Sequence, residues 1–357
     1  MVMLTDLAGE EENCQMKAAV FHGKYDLRIE ELPIPQVKGG TDVLVKVKAC
    51  GVCGTDMHIF DGDEGSAATP AGTVLGHEFA GEVVSVGEGV KSVKVGDRVC
   101  IDPNWLCNSC DFCREGIGHF CENIKGIGTV IDGGFAEYCL VPESQVYPFS
   151  DKITYAEAAM TEPVACCLHG IDMCDIDAGA TVAVIGGGMI GLLMLQLARL
   201  RGASKLIMIE PIAKKRELAK ELGADIVIDP MNEDAEQVVK ENGIKRINTV
   251  IECVGKPATM KQAIALAGKK SIVMLFGLCK PAEEISVRPF ELFKKEIVLK
   301  ASFINPYTQS RALSLIDSGK IDVSSMIYKT ISIDELPGVL ADKKERSLGK
   351  YIVSCEK

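Results

Sequence analysis

Residues 181–191, Thr-Val-Ala-Val-Ile-Gly-Gly-Gly-Met-Ile-Gly, limit what this chain can fold into more than any other stretch. The apolar run Val182 to Ile185 suits a short parallel strand covered on both faces. The apolar run Met189 to Leu200 suits the crossover helix that follows such a strand. Between them Gly186, Gly188 and Gly191 form G-x-G-x-x-G. Gly186 permits the tight turn, Gly188 lets the backbone approach a pyrophosphate, and Gly191 lets helix and strand pack closely. A helix starting there, with Met189 and Ile190 in its first turn, offers unpaired N–H groups and the positive end of its dipole to phosphates. The next strand-like run, Lys205-Leu-Ile-Met-Ile-Glu210, ends in a carboxylate nineteen residues past Gly191, the place of a ribose-binding acid. The pattern predicts a dinucleotide-binding βαβ unit rather than an isolated glycine turn.

A chain of 357 residues has room for two domains. Its net charge of -11 argues against general nucleic-acid binding, because nothing would neutralise a phosphate backbone. No apolar run reaches membrane-spanning length, and the N-terminus lacks the apolar centre of a secretory signal, so no membrane and a cytoplasmic location are expected. In a reducing compartment the fifteen cysteines read better as metal ligands or buried thiols than as disulfides.

Residues 1–15 hold four acidic side chains and no periodic pattern, and are expected to form a flexible extension. From Met16 to about residue 150 the signals are short strands broken by Gly and Pro, such as Val43 to Ala49, Glu82 to Val86 and Ala136 to Val141. They predict a β-rich half with loop-borne sites. A helical stretch near 155–174 follows. Strand candidates at 181–185, 205–209, 226–228, 248–253, 271–276 and 297–301 then alternate with helices near 189–201, 213–222, 234–242, 257–267 and 288–295. Six such strands predict an α/β, doubly wound parallel sheet of the Rossmann kind. The last part, with a helix near 307–318 and strands near 326–331 and 350–354, breaks the alternation and is expected to return to the first half.

Two regions carry metal-ligand chemistry. Cys107, Cys110, Cys113 and Cys121 have the spacing C-x2-C-x2-C-x7-C. Four thiolates make a closed tetrahedral set that suits structural zinc. An iron–sulfur run of the ferredoxin kind would place its fourth cysteine after three residues and follow it with Pro. Here the fourth comes after seven and Glu122 follows, so zinc is favoured. The second region is Cys50-Gly-Val-Cys53-Gly-Thr-Asp-Met-His58 with Gly76-His77-Glu78 downstream. Cys53, His77, Glu78 and the later Glu162 could form an open site of mixed donors. A redox pair at Cys50 and Cys53 is disfavoured, because that motif belongs beside a βαβ unit and this one lies in the β-rich half. Other cysteines, such as Cys166, Cys167 and Cys253, read as buried apolar thiols.

Gly51-Val-Cys53-Gly-Thr-Asp, Gly76-His77-Glu78, Val95-Gly-Asp-Arg-Val, the four-cysteine loop, Thr161-Glu162-Pro163 and the Gly186 turn occur in that order. Together they resemble the zinc-dependent medium-chain alcohol dehydrogenases, in the branch of sorbitol, threonine and sugar-alcohol-phosphate dehydrogenases. The resemblance implies a GroES-like catalytic domain, 16–160 with 303–357, around a Rossmann NAD-binding domain, 161–302. It implies catalytic zinc on Cys53 and His77 with Glu78 and Glu162 as the remaining candidates, the direct ligand among the two staying open. It assigns Cys107, Cys110, Cys113 and Cys121 to a structural zinc, Thr55 to the zinc-bound alcohol, and His58 to the end of its proton relay. It implies a homo-oligomer, dimer or tetramer, and the apolar run 297–301 offers an edge strand to pair with its copy. The chain departs from some sorbitol dehydrogenases in having Ser302-Phe303 where they carry Arg-Tyr.

The implied reaction is NAD-linked oxidation of a small secondary alcohol, a polyol or polyol phosphate, to a ketone. Zinc would act as Lewis acid, Thr55 and His58 would move the proton, and the nicotinamide would take the hydride. Glu210 favours NAD, since a carboxylate at the ribose repels a 2′-phosphate. Lys215 could touch the cofactor, although Lys214, Lys215 and Arg216 read more simply as a solvated helix face. Oxidation of an amino alcohol of the L-threonine kind and a butanediol-type activity are the alternatives. No charged residue lies in 301–307 to clamp a phosphate, an ammonium or a carboxylate. A retired, non-enzymatic relative would have lost donors that this chain keeps.

Overall fold

The computed structural model describes residues 15–63, 68–345 and 348–355. The extension expected at 1–15 lies outside the described residues except for Gln15, which already pairs with Pro33 in the first strand.

Six parallel strands form one sheet in the order Ile226–Ile228, Lys205–Ile209, Thr181–Ile185, Thr249–Glu252, Ile272–Leu275 and Val298–Ala301. In sequence terms this is 3-2-1-4-5-6, the Rossmann order, with its switch point between Thr181–Ile185 and Thr249–Glu252. Period-two alternation explains why the strands are apolar throughout. Val182, Val184, Leu206 and Met208 enter the core on one face, and Ala183, Ile185, Ile207 and Ile209 enter the core on the other. The sequence boundaries hold to within a residue or two.

The β-rich half is GroES-like. Its central strand is Asp42–Gly51, flanked on one side by Glu78–Val86. The other side is shared: Tyr138–Pro142 pairs with Asp42 to Lys46, and Lys350–Ser354 pairs with Ala49 to Gly51. The chain's last described strand thus completes the sheet at its centre, with Ile327–Ser332 parallel beside it. Phe79, Phe135, Leu75 and Tyr351 fill the core beneath.

The helical stretch expected over 155–174 is two helices, Tyr155–Ala159 and Thr161–Asp172, meeting at Met160. Pro163 sits in the first turn of the second, where a missing N–H removes no intrahelical bond. This second helix packs on Met189–Leu200 and on Gln309–Asp317, and so joins both halves of the molecule. An ion pair from Arg311 to Asp172, at 2.5 Å, ties its far end.

Candidate active site

Gly51 ends the central strand, and the chain turns directly into the helix Gly54–Asp61 with Cys53 as its N-cap. Asp56 accepts the Cys53 N–H at 2.8 Å, which fixes that turn. Cys53 and Thr55 therefore stand at a helix start and His58 in its last turn, not on the loop expected from sequence. Glu78 opens the neighbouring strand opposite Gly51, and His77 immediately precedes it. One donor atom each from Cys53, His77 and Glu78 fall within 4.8 Å of one another.

His77 and Glu78 are buried, and Glu78 Oε1 has no hydrogen-bond partner. Leaving such an atom unpaired costs about 1–3 kcal/mol or more. A divalent cation among a thiolate, an imidazole and a carboxylate removes that penalty, and this donor set fits zinc. His77 Nδ1 faces Asp56 Oδ1 at 3.4 Å, the arrangement that orients a metal-ligating histidine. Burial, then Glu78, pushes the Cys53 thiol up. Burial pulls His77 down, but Asp56 and Cys53 outweigh it and raise it well above the ordinary range. The metal-free group thus holds protons that a cation must displace.

Lys350 was not singled out by sequence. It is buried, ion-paired to Glu78 Oε2, and donates to the Val52 carbonyl at 3.0 Å. Strand register explains its reach: Ile352 lies opposite Gly51, and Lys350, two residues away, shares its face. A side chain at Gly51 would meet the ends of both Glu78 and Lys350 and would have to displace their ion pair. The signal available in the sequence was a lone cation opening an otherwise apolar strand.

Glu162 is the second residue of its helix, and its carboxylate accepts from Cys166 Sγ at 3.2 Å. It does not belong to the three-donor group. Burial pushes it up to about 7, with His77 opposing and Glu78 adding to the rise. Cys166 is consequently not the apolar thiol expected from sequence. Thr55 is half-buried, and His58, one turn along, lies 3.5 Å from Asp63.

Cys107, Cys110, Cys113 and Cys121 also bring their sulfurs within 4.8 Å of one another. Backbone N–H groups of Cys107, Cys110 and Asn123 point at sulfurs at 3.4 Å. Hydrogen bonds from Ser109 and from the backbone lower Cys107 to about 5. Burial instead raises Cys113 to about 12, and the four converging sulfurs with their N–H support fit a closed metal set.

At the glycine turn Gly186 has φ 99°, and a side chain at Gly191 would strike the Gly186 carbonyl. Gly188 caps the helix Met189–Leu200 with open space where a side chain would stand, room that a pyrophosphate would fill. Glu210 accepts N–H bonds from Gly187 at 2.7 Å and Ile212 at 2.8 Å, so its carboxylate is held at the turn. Arg216 departs from the solvated face expected for it. It donates to the Glu210 and Pro211 carbonyls at 2.7 Å and pairs with Asp229 at 3.0 Å. Lys215 beside it is half-buried.

Residues 39–151 match the alcohol dehydrogenase GroES-like domain, and residues 189–318 match the zinc-binding dehydrogenase family. A D-arabinitol dehydrogenase 1 from Uromyces fabae is 32% identical over 343 residues, 95% of this chain and 97% of the relative. A D-arabitol-phosphate dehydrogenase from Enterococcus avium is 35% identical, covering 85% of this chain and 87% of the relative. Among solved structures, a zinc-binding dehydrogenase from Sinorhizobium meliloti 1021 bound to NADP superposes with a TM-score of 0.91. It is 38% identical and covers 95% of this chain and 99% of its own.

Proposed function

Since this chain belongs to the zinc-dependent medium-chain alcohol dehydrogenase family, we propose that it oxidises a polyol or polyol phosphate at a secondary alcohol, reversibly, to the ketone with NAD. The observation that carries this reading is the Cys53, His77 and Glu78 donor group, with Glu78 Oε1 buried and unpaired. Zinc held there supplies Lewis acidity that lowers the pKa of a substrate hydroxyl. Asp56 orients His77, and Lys350 balances the charge of Glu78. Thr55 accepts the substrate's proton through its hydroxyl. His58, three residues on along the same helix face and half-buried, passes it to solvent. Glu162 stands beside the donors. Residues 16–160 with 303–357 form the catalytic unit in this reading, and 161–302 the cofactor unit.

The test is NADH formation with paired substrates: free polyols, their phosphates, simple diols and L-threonine. Turnover of polyols, free or phosphorylated, supports the reading. Selective threonine turnover overturns it in favour of an amino-alcohol dehydrogenase. The absence of cations from 301–307 favours free hydroxyls over a phosphate at the far end.

Gly186, Gly188, Met189, Ile190 and Gly191 would hold the pyrophosphate, with Glu210, and Lys215 at its edge, around the ribose. The fixed carboxylate of Glu210 opposes a 2′-phosphate. kcat/KM is expected to favour NAD over NADP by about tenfold or more, since each tenfold corresponds to about 1.4 kcal/mol. Glu210→Ala should narrow the gap. A preference of the unchanged protein for NADP would remove Glu210 from this role.

The four-cysteine loop is proposed to hold a second, structural zinc. Its removal by chelation should speed amide exchange across residues 104–126 while exchange in the six-stranded sheet stays unchanged. Equal exchange before and after would show the loop to be self-supporting.

The edge strand Val298–Ala301 is proposed to pair with a second copy. Val298, Leu278, Phe290 and Phe293 are exposed, the last at 78%. Light scattering should give a multiple of the 38.4 kDa chain mass, falling to one chain in Val298→Lys. A monomer at the outset would end this proposal. No helix among the described residues is long and apolar enough to cross a membrane. The cytoplasm is the compartment we propose, to be checked by cell fractionation; recovery in an envelope fraction would contradict it.

A further inference from the structure

We infer that Cys166 is a positioning residue: its thiol holds the Glu162 carboxylate beside the Cys53, His77 and Glu78 group and out of it. The helix Thr161–Asp172 puts Cys166 one turn above Glu162, and Sγ lies 3.2 Å from Oε1. A second, more distant acceptor also faces the thiol. Its sulfur is 3.8 Å from Asn305 Oδ1, and Asn305 is 1% exposed. Asn305 belongs to a buried polar set: its amide nitrogen lies 3.4 Å from both Asp102 and Gln309, and Gln309 donates to the Ile101 carbonyl at 3.1 Å. Thr308 donates to the Ala165 carbonyl at 2.8 Å and locks this loop to the helix that carries Cys166.

A donor and a cation compete for one carboxylate. Glu162 is 8% exposed, and a buried carboxylate needs a donor or a cation. The thiol supplies that donor from outside the three-donor group. Without it, the carboxylate turns to the strongest neighbouring positive charge, which is the cation held by Cys53, His77 and Glu78. Three protein donors leave a position for substrate, whereas four close the set, as in structural sites. Cys166 thereby keeps the site of the catalytic kind. A thiol suits the task because it donates only weakly and does not itself close on the carboxylate as a charged partner would. This inference rests on the zinc reading given above.

The test uses the full chain loaded with cobalt(II) in place of zinc, with imidazole as a small ligand that needs an open position. The unchanged protein should show a thiolate-to-cobalt band in excess of that of Cys53→Ala, which retains only the four-cysteine set, and this excess band should shift on adding imidazole. Absence of that band in the unchanged protein would sink the zinc reading itself. In Cys166→Val the band should remain, the imidazole shift should disappear, and kcat should fall by about 10–100-fold. Cys166→Ser, whose hydroxyl can donate to Glu162, should recover both the shift and most of kcat. An imidazole shift in Cys166→Val equal to that of the unchanged protein would overturn the inference. So would loss of cobalt from that variant, or failure of serine to rescue while the protein stays folded.

Discussion

Cys53→Ala should leave a folded protein with kcat lowered by about a thousandfold or more. Polarisation by a bound cation is worth several kcal/mol, and each 1.36 kcal/mol is about tenfold in rate. The fold should survive, because Cys53 contributes to no large core cluster and its helix start is fixed by Asp56 through the backbone. Zinc content should fall from two per chain to one, the remaining ion belonging to Cys107, Cys110, Cys113 and Cys121. NAD binding, measured by fluorescence, should be unchanged. Retention of both ions with normal kcat would remove Cys53 from the reaction.

Lys350→Met should destabilise the metal-free protein by about 3–5 kcal/mol, because Glu78 is left as a buried charge without its partner. Urea unfolding after chelation measures it. The double change Lys350→Met with Glu78→Gln should be milder than Lys350→Met alone, since the stranded charge is gone. With zinc present the loss should shrink, because the cation supplies the second counter-charge to Glu78. A metal-free variant as stable as the parent would show that the pair carries no net energy.

The Rossmann unit was legible almost residue by residue. Its strands are apolar on both faces and its turns are marked by glycine, so local pattern and global fold agree. The closed four-cysteine set was equally legible, because its ligands are adjacent in sequence. The open site was only half legible. Cys53 and His77 stand just beyond the ends of two strands that pair Gly51 with Glu78, a juxtaposition that spacing along the chain cannot express. Lys350 reaches Glu78 across 272 positions, and nothing local marks that contact. Cys166 was misread for a different reason. Cysteine is most often buried as a small apolar group, and the polar contacts of Cys166 depend on a helix register with Glu162 and a distant loop at Asn305 that composition does not show. Arg216 was misread similarly: its helix is polar, but its guanidinium turns back onto the carbonyls of Glu210 and Pro211.

The pairing of Lys350–Ser354 with Ala49–Gly51 also sets an order of assembly. During synthesis the six parallel strands can pair with partners that lie within the same central stretch, and that unit can form while the chain is still growing. The first sheet cannot. Until residue 350 has emerged, the Ala49–Gly51 edge has no partner and Glu78 has no cation from the chain. Contacts of such separation pay their loop-closure entropy before they return any energy, so this sheet is the slow part of folding. The half of the molecule made first is therefore the half finished last.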